Sequence, residues 1–167
     1  MTQPKVIAFD LFGTVFDVSN VPKDEVREYV RQVKAEEWAP LELPHSWDHL
    51  PVFSDSVEGI QRLRAKYQVV TCSNLPLELT AWLSDYHGLK WSAIVPLEAN
   101  RAYKPAYRAY LTVCDVVLCR TSDVLMVSAH ADGPDVEGAP DAGFGFQLIR
   151  NPGYPQTIIE LAEALGC

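Results

Sequence analysis

The sequence has no block of lysines and arginines, and its 167 residues carry a formal charge of −8. A nucleic-acid groove needs a basic footprint, so that class of partner is excluded. A local basic pocket for a small anion stays open. No C-x-x-C pair occurs among Cys72, Cys114, Cys119 and Cys167, and their spacing matches no zinc site. Cys114 and Cys119 fall in one apolar helical run and read as core. Reduced thiols of this kind fit a cytoplasmic protein. A long apolar run is missing too. Met1-Thr2-Gln3-Pro4-Lys5 passes into a short apolar stretch that Asp10 interrupts, too early for a signal peptide or a spanning helix. There is no internal repeat and no low-complexity segment. What is present is globular: 48% apolar and 22% charged residues, long enough to bury a core as one domain, 1–167, without disulfides.

One stretch organises the rest. Val6-Ile7-Ala8-Phe9 runs up to Asp10, and Leu11-Phe12-Gly13-Thr14 follows at once. A continuous apolar run of this length reads as a strand buried on both faces. A carboxylate at the rim of a core is costly unless paired. In parallel sheets such strand ends are where ligands bind. The bland alternative is a strand-turn in which Asp10 only caps the turn.

The remaining chain alternates helices and strands. Pro22 opens a helix with Val26, Tyr29, Val30 and Val33 on one stripe, ending near Trp38. Ala39 to Phe53, with Pro40, Pro44 and Pro51, is an irregular packed connection. Asp55 and Glu58 have capping-box spacing before a helix marked by Val57, Ile60, Leu63 and Tyr67. Gln68–Cys72 is a second strand. A helix from Leu77 past Tyr86 follows, stopped by Gly88. Trp91–Val95 is a third strand. Lys104-Pro105 opens a helix carrying Tyr107, Tyr110, Leu111, Cys114, Val117 and Leu118. Val124–Val127 is the fourth strand, Val136 to Ala142 a short helix closed by Gly143, and Phe146–Ile149 the fifth strand. Pro155 starts a last helix with Ile158, Ile159, Ala162 and Leu165. This alternation predicts an α/β, Rossmann-like, doubly wound parallel sheet of five strands. Residues 18–54 exceed what one crossover needs and form a small insert over the sheet edge. Trp38 and Trp47 in it read as packing of the insert, with a dimer contact as the alternative.

Polar residues collect at one edge of that sheet. Strand one ends at Asp10, strand two at Ser73-Asn74, strand four at Ser128-Ala129-His130-Ala131-Asp132-Gly133-Pro134-Asp135, and Lys104 opens the intervening helix. Each has an ordinary reading as a cap or a solvated lysine. Their convergence on one edge is harder to dismiss.

This combination resembles the haloacid dehalogenase superfamily from Asp10 to about Arg150. Asp10-Leu11-Phe12-Gly13-Thr14 resembles its nucleophile motif and Ser73 its second motif. Lys104-Pro105 resembles its third, and Ser128 to Asp135 its fourth, with Asp-x-x-Gly-Ala at Asp135–Ala139. The resemblance implies strand order 5-4-1-2-3 and a cap after the first motif. Phosphatases of the superfamily carry a second Asp two residues after the nucleophile. They hold Mg²⁺ between the nucleophile, a backbone carbonyl and an acidic fourth motif. Here Phe12 replaces that acid, and an aromatic ring cannot protonate a leaving oxygen. In a gapless match His130 falls on a metal-binding Asp, and Mg²⁺ prefers oxygen ligands. Both departures resemble the L-2-haloacid dehalogenase branch, which uses no metal. That branch also has Ser-Asn as at Ser73-Asn74, Lys-Pro with a Tyr as at Lys104, Pro105 and Tyr110, and Ser then Asn or His as at Ser128 and His130.

The resemblance implies these roles. Asp10 is the nucleophile and forms an ester with substrate. Lys104 favours the ionised carboxylate. Thr14 and Ser128 fix the carboxylate and the lysine by hydrogen bonds. Asp135 activates the hydrolytic water, with Asp132 as the rival for that position and His130 as a helper. Phe12, Ser73, Asn74, Tyr110 and His130 surround a small carboxylate substrate. No cofactor or metal is needed. The family gap between Asp10 and Ser73 is normally much longer, so the cap is truncated. The family's halide-binding Arg has no counterpart in Glu36-Glu37-Trp38-Ala39-Pro40-Leu41-Glu42, and Arg27 or Arg31 would have to replace it. A small open site would exclude water less well. The alternatives are a phosphatase with Mg²⁺ on Asp10 and Asp135, and a catalytically inactive binding module. The expected partner is a small molecule, with no nucleic acid or membrane, on a monomer or homodimer.

Overall fold

The protein, seen in a computed structural model, is described over residues 3–35 and 41–167. Its sheet contains four strands: β1 (Val6–Phe9), β2 (Gln68–Thr71), β3 (Val124–Ser128) and β4 (Gly145–Leu148). They run parallel in the order β2-β1-β3-β4. The central strand, β1, pairs Phe9 with Thr71 on one side and with Val127 on the other. Its residues point alternately into two cores. Ile7 and Phe9 join one with Val69 and Val127, while Val6 and Ala8 join the other with Val70 and Met126. That two-sided burial is the reason β1 is apolar at every position.

Six helices wind around the sheet: α1 (Lys23–Lys34), α2 (Ser56–Arg64), α3 (Leu77–His87), α4 (Tyr107–Val117), α5 (Asp135–Asp141) and α6 (Ile158–Ala164). Ile60, Leu63, Ile158 and Leu161 cover one face from α2 and α6. Ala109, Tyr110, Val113 and Ala139 cover the other from α4 and α5. The doubly wound α/β architecture expected from the sequence is therefore present.

One of the five expected strands is not formed. Trp91–Val95 lies beside β2, but only Val70 and Ala93 form a bridge. The Ser92 hydroxyl accepts from the Val69 N–H, and the Thr71 hydroxyl accepts from the Val95 N–H. Side-chain hydroxyls thus take ladder positions that backbone carbonyls would fill, and pairing stops. The order 5-4-1-2-3 holds for the other strands.

Other expectations also change. Asp55 makes no capping bond to α2; its carboxylate instead binds Arg150 and accepts from the Ile158 N–H. Glu58 pairs with Arg62. Tyr67 lies beyond the end of α2, though it is buried. Leu118 is in a left-handed conformation past the end of α4 and is 91% exposed, so it is no part of the apolar stripe, and Cys119 follows outside the helix. The last helix starts at Ile158, where the Thr157 hydroxyl accepts from the Glu160 N–H, and not at Pro155. In α1, Tyr29 and Val33 are buried while Val30 is exposed. The expected end of α1 near Trp38 lies outside the described residues.

The insert is pinned at its base. Phe16 pairs with Val52, and the Asp17 N–H donates to the Pro51 carbonyl at 2.7 Å. A short 3-10 turn over His45–His49 places Trp47 against the core, 1% exposed, as packing of the insert requires. Among the described residues, no helix is long and apolar enough to cross a membrane.

Candidate active site

The Asp10 N–H continues the sheet by one bond, donating to the Val127 carbonyl at 2.9 Å. The chain then coils, and the N–H groups of Thr14, Val15 and Phe16 converge on the Leu11 carbonyl. Gly13 allows the coil with φ +79°, a region costly for residues with a Cβ. The coil brings the Thr14 hydroxyl back to donate to Asp10 Oδ2 at 2.9 Å. The same hydroxyl accepts from the Ala129 N–H at 3.0 Å, which ties the β1 and β3 ends together.

Lys104 reaches this point from the loop before α4. Its Nζ lies 3.0 Å from Asp10 Oδ1 and 2.8 Å from Asp135 Oδ2. The Lys104 side chain is 2% exposed, Asp10 10% and Asp135 1%. Burial disfavours the ammonium, but Asp10 and Asp135 outweigh it and hold its pKa well above the ordinary lysine value. Burial pushes the Asp135 carboxyl up, with the Lys104 charge pulling the other way. The neighbouring Cys72 thiol is pushed up to about 12 by burial and is no nucleophile at neutral pH.

Asp135 is the fourth-motif acid that enters the site. Asp132 is exposed. Asp135 Oδ1 accepts from the Tyr110 hydroxyl at 3.1 Å, which also lies 3.0 Å from the Pro134 carbonyl. A Cβ on Gly138 would lie 2.5 Å from the Tyr110 oxygen. The glycine of Asp-x-x-Gly is therefore the gap through which Tyr110 reaches Asp135.

Asn74 and Ser73 act on backbone. The Asn74 amide donates to the Lys104 carbonyl at 3.1 Å and its oxygen accepts from the Lys104 N–H at 2.8 Å. This two-point grip sets where Lys104 starts. The Ser73 hydroxyl accepts from the Leu75 N–H. Ser128 does not carry out its expected task on Lys104; its hydroxyl accepts from the His130 N–H at 3.3 Å.

His130 Nε2 lies 2.6 Å from the Phe12 carbonyl and 3.6 Å from Asp10 Oδ2. A carbonyl only accepts, so Nε2 carries the hydrogen. The donor set does not suit Mg²⁺. Asp135 is committed to Lys104 and Tyr110, and an N–H sits between the other Asp10 oxygen and the carbonyl. Among the described residues, no group of three His, Cys, Asp or Glu is arranged to hold a metal ion.

The Phe12 ring stacks on Trp47 at 4.8 Å, and Tyr29 packs against both at 5.6 and 5.4 Å. The Trp47 indole N–H donates to Glu25 at 2.9 Å. The Asp10 side chain is 10% exposed. Arg27 is exposed, and Arg31, also exposed, pairs with Glu28 on α1. A cavity of about 600 Å³ lies between the insert and α3, where Tyr103 and Pro76 adjoin the Lys104 and Asn74 loops.

No family model matches the chain. The (S)-2-haloacid dehalogenase of Xanthobacter autotrophicus is 24% identical over 196 positions, covering 87% of this chain and 74% of that protein. The crystal structure of an L-2-haloacid dehalogenase superposes with a TM-score of 0.82 at 18% identity, covering 98% of this chain and 100% of the other. The L-2-haloacid dehalogenase of Xanthobacter autotrophicus with chloropropionic acid covalently bound gives 0.71 at 21% identity, covering 97% and 88%. The fold is that of the haloacid dehalogenases. The matched span of 196 positions exceeds the 167 residues present, so the Xanthobacter relative carries residues with no counterpart here.

Sequence reasoning missed the Asp55–Arg150 pair. Arg150 has φ +58°, donates from Nε to the Thr14 carbonyl, and grips Asp55 with both terminal nitrogens at 3.1 and 3.0 Å. Thr14 is thus supported from behind by a residue 136 positions away.

Proposed function

We propose that the chain is a haloacid dehalogenase-type hydrolase that breaks a carbon–halogen bond of a small carboxylate. The reading is carried by one observation: each Asp10 oxygen has its own donor, Lys104 on Oδ1 and Thr14 on Oδ2, and an aromatic cluster starts at residue 12. A buried carboxylate held this way is fixed in place, and position 12 supplies no neighbouring acid. In the proposed reaction an Asp10 oxygen attacks the carbon, and the halide leaves with the bonding pair. Water then attacks the resulting ester, gives its proton to Asp135, and releases hydroxy acid and Asp10. Lys104 counters negative charge at the carboxylate through both steps. The similarity of the fold and of the Xanthobacter relative supports this class.

The test is halide release from 2-chloropropionate in the presence of EDTA. Wild type is expected to release chloride, and Asp10→Asn to lose at least about a thousandfold while remaining folded by circular dichroism. Wild-type turnover by Asp10→Asn would remove Asp10 as nucleophile. Hydrolysis of p-nitrophenyl phosphate that requires Mg²⁺, with no halide release, would replace the reading by a phosphatase.

A further inference from the structure

His130 occupies a seat built by separate loops. A Cβ on Gly13 would lie 2.9 Å from its ring carbon Cε1, and a Cβ on Gly133 would lie 2.6 Å from its own Cβ. Two residues without side chains therefore make room for this imidazole. The Ser128 hydroxyl anchors its backbone. In that seat Nε2–H faces the Phe12 carbonyl at 2.6 Å and Asp10 Oδ2 at 3.6 Å. Two hard oxygens, the Phe12 carbonyl and Asp10 Oδ2, thus lie beside one ring nitrogen. A hard cation bridging a carboxylate and a carbonyl would need the same space. An N–H bonded to the Phe12 carbonyl can neither ligate a cation nor yield room to one. Asp10 Oδ1 offers no alternative, because the Lys104 ammonium already lies against it.

We propose that His130 bars divalent cations from Asp10 by filling, with a hydrogen-bond donor, a latent oxygen-lined cation position formed by Asp10 Oδ2 and the Phe12 carbonyl. It deepens the metal-free hydrolase reading and rests on it for its purpose, but the prediction concerns cation binding. Replacing the imidazole by a carboxylate would exchange the obstructing donor for a third oxygen ligand. The 41% exposure of the His130 side chain gives a cation a path to this position once the ring is gone.

The experiment titrates Mn²⁺ alone into the full chain and follows the electron paramagnetic resonance signal of free Mn²⁺. Wild type and His130→Asn, whose amide can still donate, are expected to leave Mn²⁺ free. His130→Asp is expected to take up one Mn²⁺ per chain. Adding Asp10→Asn to it should weaken uptake at least about tenfold, since loss even of supporting groups costs that much. Circular dichroism melts establish that each variant is folded. The proposal is overturned if wild type binds Mn²⁺ in a way that Asp10→Asn abolishes. It is equally overturned if folded His130→Asp binds no more than wild type, or if His130→Asn binds as well as His130→Asp. Should His130→Asp fail to fold, His130→Ala must bind Mn²⁺ more tightly than wild type, and no gain overturns the proposal. Halide release by wild type in EDTA is recorded in parallel. Its absence would strike the hydrolase reading and leave the Mn²⁺ result to decide this one.

Discussion

Two buried ion-pair centres sit on either side of Thr14, and they differ in what they leave unfinished. At Asp55–Arg150 the guanidinium grips the carboxylate with two bonds, Asp55 Oδ2 also accepts from the Ile158 N–H, and Arg150 lies 3.9 Å over the Phe53 ring. Two further N–H groups donate to the carbonyls of Thr14 and Gln156. That centre is closed on itself and ties the insert base, α6 and the Thr14 coil together. At Asp10–Lys104–Asp135 one ammonium serves two carboxylates, and Asp10 accepts one bond on each oxygen, from Lys104 and Thr14, beside a half-exposed histidine. Burial and pairing are common to both. What separates them is that Asp55 accepts three hydrogen bonds and Asp10 two.

Lys104→Met should strike hardest. It removes the ammonium that pairs with two buried carboxylates, and breaking such a pair costs about 3–5 kcal/mol. Turnover should fall at least about a hundredfold, as when a charge-stabilising donor is lost. The pH dependence gives the sign. The folded Lys104 pKa lies above the unfolded value, so its stabilisation is full below roughly pH 10.4 and lost as pH rises through the folded value. Alkaline melts should therefore show that loss in wild type and not in the variant. Burial already raises the Asp135 carboxyl above 3.8, so the variant should instead gain stability as pH falls towards that value.

Arg150→Met is the matching blow to the closed centre. It leaves Asp55 buried without its cation, and the expected loss is again about 3–5 kcal/mol by urea melts. Turnover per folded molecule should stay close to wild type. A loss as deep as that of Lys104→Met would erase the distinction between the two centres.

Tyr110→Phe is the intermediate case. The ring still fills its buried place against Phe144, but Asp135 Oδ1 and the Pro134 carbonyl lose a donor. A hydrogen bond to a charged group is worth about 1.5–3 kcal/mol, so the melt should fall by that order. Turnover should drop less than in Lys104→Met, because Lys104 still holds Asp135.

The contrast between the centres also explains what could be seen in the sequence. Asp10, Thr14 and Asp135 follow strand ends close to glycines, and each leaves a local mark: an apolar run cut by a charge, a Gly where a coil tightens, a Gly where Tyr110 passes. The continuous apolar run of β1 is visible for the same reason, since both of its faces are buried. Asp55 and Arg150 are 95 residues apart and nothing near either names the other. Asp55 stands three residues before Glu58, so its spacing reads as a cap while its carboxylate is engaged elsewhere. Trp91–Val95 looks like a strand because its composition is that of one, yet hydroxyls of Ser92 and Thr71 take the N–H groups. Asn74 reads as a ligand-facing amide, but its two bonds to Lys104 backbone come from a loop 30 residues on.

The smallest effect is expected from the arginines of the insert, and it bears on how the site manages without a cap cation. Arg27 and Arg31 are exposed on α1, and Arg31 is held outward by Glu28. Exposed charges of this kind gain little from their partners, so Arg27→Ala and Arg31→Ala should change halide release by less than about twofold. The inner face of the insert presents Tyr29 and Trp47 over Phe12, so substrate entering there meets aromatic surface rather than a guanidinium. Steady-state halide release with 2-chloropropionate and with its bromo analogue decides the point. A large drop in either variant, greater for chloride than for bromide, would mean that an arginine of α1 swings inward to receive the leaving group. The reactive centre would then depend on the insert for its charge, and the division between a charged sheet edge and an aromatic cluster would have to be redrawn.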